Sequence, residues 1–267
     1  MIVSVAALQY PLGGPITLED QLHLFRRKPD FLCLPEYFPI RPGDHTHRDV
    51  ADRIGPLRRA LAKLSYDLSC TVIGGTMPHP IDGGYANMTT VYHKGSIIGT
   101  YQKVNPVGRE EERGIIPGTE YRVFDVNGVR IGILICADVL KPESFVEMRR
   151  LGAEIIFAPT VSPFLDNDTV FEKTKRDHEI YIAGAQSARA YIVKTCGVGT
   201  IFGHPLQGRS GIFAPWGILS LVPPDGEKQK RILTEYLDIE EIREFKTLMH
   251  GAEHEPASAV EPLTSDK

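Results

Sequence analysis

The chain has 267 residues, enough for one large domain or two small ones with a substantial core. Hydrophobic residues make up 42% and charged residues 24%, as in globular proteins, and a formal net charge of −4 with scattered basic residues argues against a polyanion such as DNA as partner. No apolar run approaches the roughly 20 residues needed to span a membrane, and the four cysteines (Cys33, Cys70, Cys136, Cys196) sit singly without a CxxC pair, which points to a reduced, cytoplasmic protein.

The opening segment MIVSVAALQY is apolar, lacks a basic start and soon meets Pro11, Gly13 and Gly14. It reads as a buried strand over Ile2–Leu8, not a signal peptide. A helix is expected over Thr17–Phe25, then a strand over Phe31–Leu34 that runs into Pro35 and the lone carboxylate Glu36. A helix over Val50–Leu68 precedes strands at Thr71–Gly74 and Thr89–His93. The second of these turns at Lys94–Gly95 into a hairpin that ends at Lys103. Beyond Pro117–Gly118, the apolar strand Val129–Ile135 leads directly to Cys136. A helix (Glu143–Leu151), a strand (Ile155–Ala158) and a long helix (Val170–Ala188) follow. Strands at Tyr191–Lys194, Ser210–Phe213 and Arg231–Tyr236 and a helix at Ile239–Met249 close the pattern. Apolar strands alternating with helices predict an α/β layered architecture. With no internal repeat or linker, residues 1–240 form one domain and 241–267 a helix end and polar tail.

Three residues stand where chemistry is expected. Cys136 ends an apolar strand, the edge at which α/β sheets place their sites. Glu36 lies at the mouth of another apolar strand, where burial would raise its pKa toward that of a general base. Lys103 could direct an ammonium at an oxyanion and a thiolate. Taken singly, each has a plainer reading: a buried small hydrophobe, a solvated loop carboxylate, and an exposed lysine at a strand end.

Together they are more specific. Sixty-seven residues separate Glu36 from Lys103, and 33 separate Lys103 from Cys136. With these come Gln9 after the opening strand, the blocks LPEYF, YQKVN, IIPG and ICAD, and GRSGIFAPWG at 208–217. In this order and spacing the chain resembles the nitrilase, or carbon–nitrogen hydrolase, superfamily over residues 1–236, with features of its amidase-like branch. The resemblance implies a four-layer α-β-β-α sandwich and a Glu–Lys–Cys triad. Cys136 would be the nucleophile, Glu36 the general base and Lys103 an oxyanion donor, with the backbone N–H of Ala137 as second donor. It further implies a second glutamate before a Pro-Gly turn. Glu110, Glu111 and Glu112 are candidates, and the spacing to Pro117–Gly118 selects Glu111.

The implied activity is hydrolysis of a small linear amide, ω-amide or N-carbamoyl compound through a thioester, without metal or cofactor. The alternatives are a nitrile substrate, acyl transfer to another amine, and a binding protein with a residual site. The implied assembly is a homodimer or larger homo-oligomer. The chain departs from the common pattern at Asn105, where the family often has His, and at Ala137–Asp138, where an aromatic often follows the nucleophile. A carboxylate-bearing substrate would need a pocket cation, for which Arg109, Arg113, Lys173 and Arg176 are candidates. The nine histidines form no HExxH motif and read as solvated or structural. Cys33 reads as a core residue within its strand and Cys196 as one just past a strand.

Overall fold

The computed structural model describes residues 1–254. Strands β1 (Ile2–Pro11), β2 (Phe31–Cys33), β3 (Thr71–Ile73), β4 (Met77–Ile81), β5 (Gly84–His93) and β6 (Ser96–Gln102) build a first sheet. Strands β7 (Val123–Val126), β8 (Val129–Ile133), β9 (Ile155–Thr160), β10 (Tyr191–Ile201), β11 (His204–Leu206), β12 (Gly211–Ala214) and β13 (Gly217–Leu221) build a second. The last strand, β14 (Arg231–Asp238), returns to pair antiparallel with β1. The halves are hydrogen-bonded to each other where the ends of β1 and β10 run parallel, Tyr10 opposite Gly197.

Period-2 alternation assigns each strand two faces. Val3, Val5, Ala7, Phe31 and Cys33 from the first sheet pack against Ile131, Ile133, Ile135, Ile155 and Phe157 from the second, forming the inter-sheet core. The alternate residues Ala6, Leu8, Leu32 and Leu34 face outward. They are covered by helices α1 (Leu18–Arg27) and α2 (Ala51–Asp67) through Leu24, Ile54, Leu61 and Leu64. On the far side Leu134, Ile156 and Ile192 meet Phe145, Met148, Tyr181 and Ala185. These come from α4 (Pro142–Arg150) and from the helix that runs as α5 (Val170–Arg176), a wider π-type segment (Asp177–Ile182) and α6 (Ala183–Ala188). The layering is therefore α-β-β-α. Each fully buried Ile or Leu contributes about 1.5–3 kcal/mol by removal from water.

One short helix, α3 (Gly108–Glu112), follows the β5–β6 hairpin and is absent from the sequence reading. The final helix α7 (Ile239–His254), expected over Ile239–Met249, packs Ile239 and Ile242 into the inter-sheet core. The rest of the expected tail lies outside the described residues. None of the described helices is long and apolar enough to cross a membrane.

Candidate active site

Four strand ends deliver the site. β2 runs into Leu34 and Pro35, and the chain then turns at Glu36 and Tyr37. Tyr37 adopts a left-handed φ of 53° and donates its N–H to the Thr76 hydroxyl at 2.9 Å. Gly75 makes this turn possible. Its φ is +66°, and a Cβ there would stand 2.3 Å from the Pro35 carbonyl. Glu36 is thereby held fully buried.

β6 delivers Lys103. Its backbone N–H still bonds Asn87 of the neighbouring strand at 2.9 Å, and its side chain is 1% exposed. The ammonium donates to Glu36 Oε1 at 2.8 Å and to Glu110 Oε2 at 2.7 Å. Asn87 Nδ2 bridges the same two carboxylates at 2.9 and 3.0 Å. Tyr37 donates its hydroxyl to Glu110 at 2.7 Å, and the Val107 N–H donates to it at 2.9 Å. Glu110 thus caps the start of α3 while holding the lysine.

The second glutamate beside Lys103 is therefore Glu110, not Glu111. Successive helical residues are rotated by about 100°. Within α3 this turns Glu110 inward, and Glu111 is left exposed.

β8 delivers Cys136. The strand stops at Ile133, and Asp138 then folds back to accept the Ile135 N–H at 2.9 Å, the Tyr101 hydroxyl at 2.8 Å and the Asn105 N–H at 2.7 Å. This clamp puts Cys136 at the head of a tight turn with a left-handed φ of 46°, an uncommon conformation for a residue bearing a Cβ. Asn105, one of the departures from the family pattern, is thus a partner of another, Asp138. The thiol donates to Val161 O at 3.4 Å and is electrostatically coupled to Glu36. The Val161 N–H donates to Glu36 Oε2 at 3.1 Å. Residue 161, just past β9, ties base and nucleophile together.

The electrostatics follow from two carboxylates sharing one ammonium in a buried place. Burial pushes the Glu36 carboxyl above its ordinary range; the Lys103 charge opposes this and the Glu110 charge adds to it. Burial acts the same way on Glu110, but the charge and hydrogen bond of Lys103, with the Tyr37 and Val107 donors, hold it below the usual range. For Lys103, burial acts downward and is outweighed by negative charge at Glu36, Cys136 and Glu110, so its pKa is raised. Burial and the Glu36 charge push the Cys136 thiol well above its ordinary value. Since the thiolate is the attacking form, a thiol shifted in this direction depends on a neighbouring base to take its proton.

Glu36, Lys103, Glu110, Cys136 and Ala137 line one cavity of about 700 Å³, within the usual range for a small-molecule site. The expected pocket cations divide. Lys173 is buried and paired with Glu227 at 2.6 Å. Arg176 pairs with Asp168, and Arg109 and Arg113 are exposed lining residues. Two lining cations escaped the sequence reading, Lys194 and Arg209. Lys194 sits in an otherwise apolar strand, and Arg209 in the GRSG block. Cys196 lies within β10, which runs seven residues further than expected, and Cys33 lies in β2; both are fully buried. His47 is also buried, stacked on Tyr37 at 5.6 Å between ring centres.

The profile of the carbon-nitrogen hydrolase family matches residues 17–247. The chain is 23% identical to the omega-amidase NIT2 of Mus musculus over 235 residues, spanning 81% of this chain and 79% of that one. It is 30% identical to the hydrolase Rv0480c of Mycobacterium tuberculosis over 116 residues, 41% of each chain. In structure it is similar to a carbon-nitrogen hydrolase of Helicobacter pylori G27 at a TM-score of 0.80 and 19% identity, covering 95% of both chains. It is similar also to a mutant amidase of Nesterenkonia sp. AN1 at a TM-score of 0.71 and 19% identity, covering 94% of this chain and 96% of that one. With a family match across most of its length, the chain belongs to the carbon–nitrogen hydrolase family and is a hydrolase of the amidase/nitrilase type.

Proposed function

We propose that this chain hydrolyses the carbon–nitrogen bond of a small linear amide, an ω-amide or an N-carbamoyl compound, through a thioester on Cys136. The observation that carries this reading is the convergence of Glu36, Lys103 and Cys136, from three separate strand ends, on one cavity. Two relatives lend support. The similar mouse protein is an omega-amidase, and the Nesterenkonia mutant carries the acetamide moiety of fluoroacetamide on its active-site cysteine.

In this mechanism Glu36 takes the Cys136 thiol proton as sulfur bonds to the amide carbon. The oxyanion is held by an N–H of Lys103 and the backbone N–H of Ala137. Glu36 passes the proton to the nitrogen, the C–N bond breaks, and ammonia or an amine leaves. Water then adds to the thioester while Glu36 takes its proton. The C–S bond breaks, the acid departs, and the thiol regains its proton. One water is consumed, whereas a nitrile would consume two.

The test is ammonia release from a panel of small amides, carbamoyl amino acids and nitriles, comparing wild type with Cys136→Ala. Turnover of an amide or carbamoyl compound, reduced more than about 1,000-fold in the variant, is expected. Turnover that persists in a folded Cys136→Ala protein would overturn the thiol mechanism.

A further inference from the structure

We infer that the cavity is built for an amide that carries a carboxylate away from the scissile bond, and that the Lys194 ammonium is the group that recognises it. The inference rests on the amide-hydrolase reading of the same cavity and adds the charge of the substrate.

Lys194 occupies a position where an apolar residue is the default. It pairs with Ala158 of β9 and Gly211 of β12, and by alternation shares the face of Ile192, which packs in the helix-side core. Yet it is a lysine, 6% exposed, lining the cavity that contains Cys136. A buried ammonium is costly unless it is paired and fully hydrogen-bonded. Here its one hydrogen bond is long, 3.3 Å to Asp177 Oδ1, supplemented by the Tyr181 ring at 4.5 Å. Lys103, by contrast, makes two bonds of 2.7 and 2.8 Å.

The neighbouring carboxylates are already engaged. Asp177 also accepts a closer bond from Arg209 Nε, and Glu227 takes Lys173 at 2.6 Å and Arg209 Nη1 at 3.3 Å. Three buried cations thus share two buried carboxylates, leaving one positive charge uncompensated. Arg209 is occupied by these acceptors and by Thr174. Lys173 and Lys194 each make one hydrogen bond, but that of Lys173 is short, at 2.6 Å, and that of Lys194 is long, at 3.3 Å, so Lys194 is the more weakly paired ammonium of the cluster. The cavity as a whole has the same bias: seven Lys and Arg residues line it against three carboxylates, and two of those three, Glu36 and Glu110, belong to the Lys103 cluster. An uncompensated ammonium in a water-poor wall is paired most strongly by an anionic ligand. Tyr181 joins the two regions, with its ring against Lys194 and its hydroxyl within the electrostatic reach of Cys136.

The test compares the monoamide of a linear five-carbon dicarboxylic acid with the neutral straight-chain amide of the same length, on wild type and on Lys194→Met. Wild type is expected to prefer the acidic amide by about 30-fold or more in kcat/KM. In Lys194→Met this preference should collapse to about threefold or less, with the loss mainly in KM, while Lys194→Arg retains more of it. The methionine variant should fold, because Asp177 keeps Arg209 as its partner; its melting curve checks this. A wild-type preference near unity, or one unchanged in Lys194→Met, would overturn the assignment even if both amides are hydrolysed. If wild type hydrolyses neither amide, calorimetric titration of Cys136→Ala with the five-carbon dicarboxylate and with the matching monocarboxylate decides the matter. Dicarboxylate binding lost in the Lys194→Met background would keep the carboxylate subsite and remove the hydrolase reading, and absence of binding would remove both.

Discussion

Lys103 is the one ammonium between two buried carboxylates, and the three groups together carry an excess negative charge. Two consequences follow at the residue scale. The base in the proposed reaction is the ionised form of Glu36, whose pKa is raised by burial against the pull of Lys103. Activity should therefore fall as pH drops through that raised value, placing the acid limb of kcat/KM above the ordinary glutamate value of about 4.3. Lys103, shifted upward, stays charged through the alkaline side up to at least its ordinary value of about 10.4. A pH–rate profile with its acid limb at or below the ordinary glutamate value would remove Glu36 as the base. The second consequence separates the two adjacent glutamates. Glu110→Gln removes an acceptor of Lys103 and a like charge near Glu36, so kcat should fall about 100-fold and the acid limb should move to lower pH. The exposed Glu111, changed to Gln, should alter kcat less than about twofold. Equal effects from the two variants, or an unmoved acid limb in Glu110→Gln, would contradict the positioning role given to Glu110.

At the scale of elements, what could be read from the chain depended on how local the determining physics is. β1, β2, β8 and β9 announce themselves as apolar runs because both of their faces are covered, and their ends lead to Glu36, Cys136 and Val161. The hairpin of β5 and β6 was visible in its Lys94–Gly95 turn, where both residues take positive φ. The short helix α3 was not, for its five residues have no apolar stripe. It exists because Glu110 caps it and reaches Lys103, a contact made across the fold. Asn87 and Tyr37, which complete the carboxylate network, carry no pattern that marks them apart from other strand and loop residues. The π-type winding at Asp177–Ile182 was likewise hidden inside a helix whose extent was otherwise legible. Such segments often occur at functional sites, and this one carries Asp177 and Tyr181 against the cavity. Lys194 carries no mark in the sequence, because a lysine at the end of an apolar run resembles a strand boundary. In the fold β10 continues to Ile201, so the residue is interior.

Across the whole molecule the site belongs to neither sheet alone. Glu36 and Lys103 come from the first half and Cys136 and Val161 from the second, so their spacing depends on how the halves are joined. One joint is the β1–β10 pairing; another is Gln9, fully buried at the end of β1. Its Nε2 donates to the carbonyls of Gly226 and Gln229, both at 2.9 Å, and its Oε1 accepts the Ser210 N–H at 3.1 Å. The Ser210 hydroxyl in turn accepts the Cys196 N–H of β10 at 2.9 Å. Gly208 lies so close to the Gln9 amide that a Cβ would stand 2.3 Å from its Cδ. Gln9→Leu keeps the volume and strands the Ser210 N–H and the Gly226 carbonyl away from water, and removes the donor to the partly buried Gln229 carbonyl. Each such group costs about 1–3 kcal/mol when left unpaired, so a loss of about 2–4 kcal/mol is expected after some relaxation. Urea unfolding followed by circular dichroism reads this as a lower midpoint with an unchanged slope. Since the same segment carries Arg209, loosening it should also disturb the Asp177 and Glu227 pairing behind the cavity. A midpoint equal to that of wild type would show that Gln9 does not hold the two halves in register, and the β1–β10 pairing would then have to do so without it.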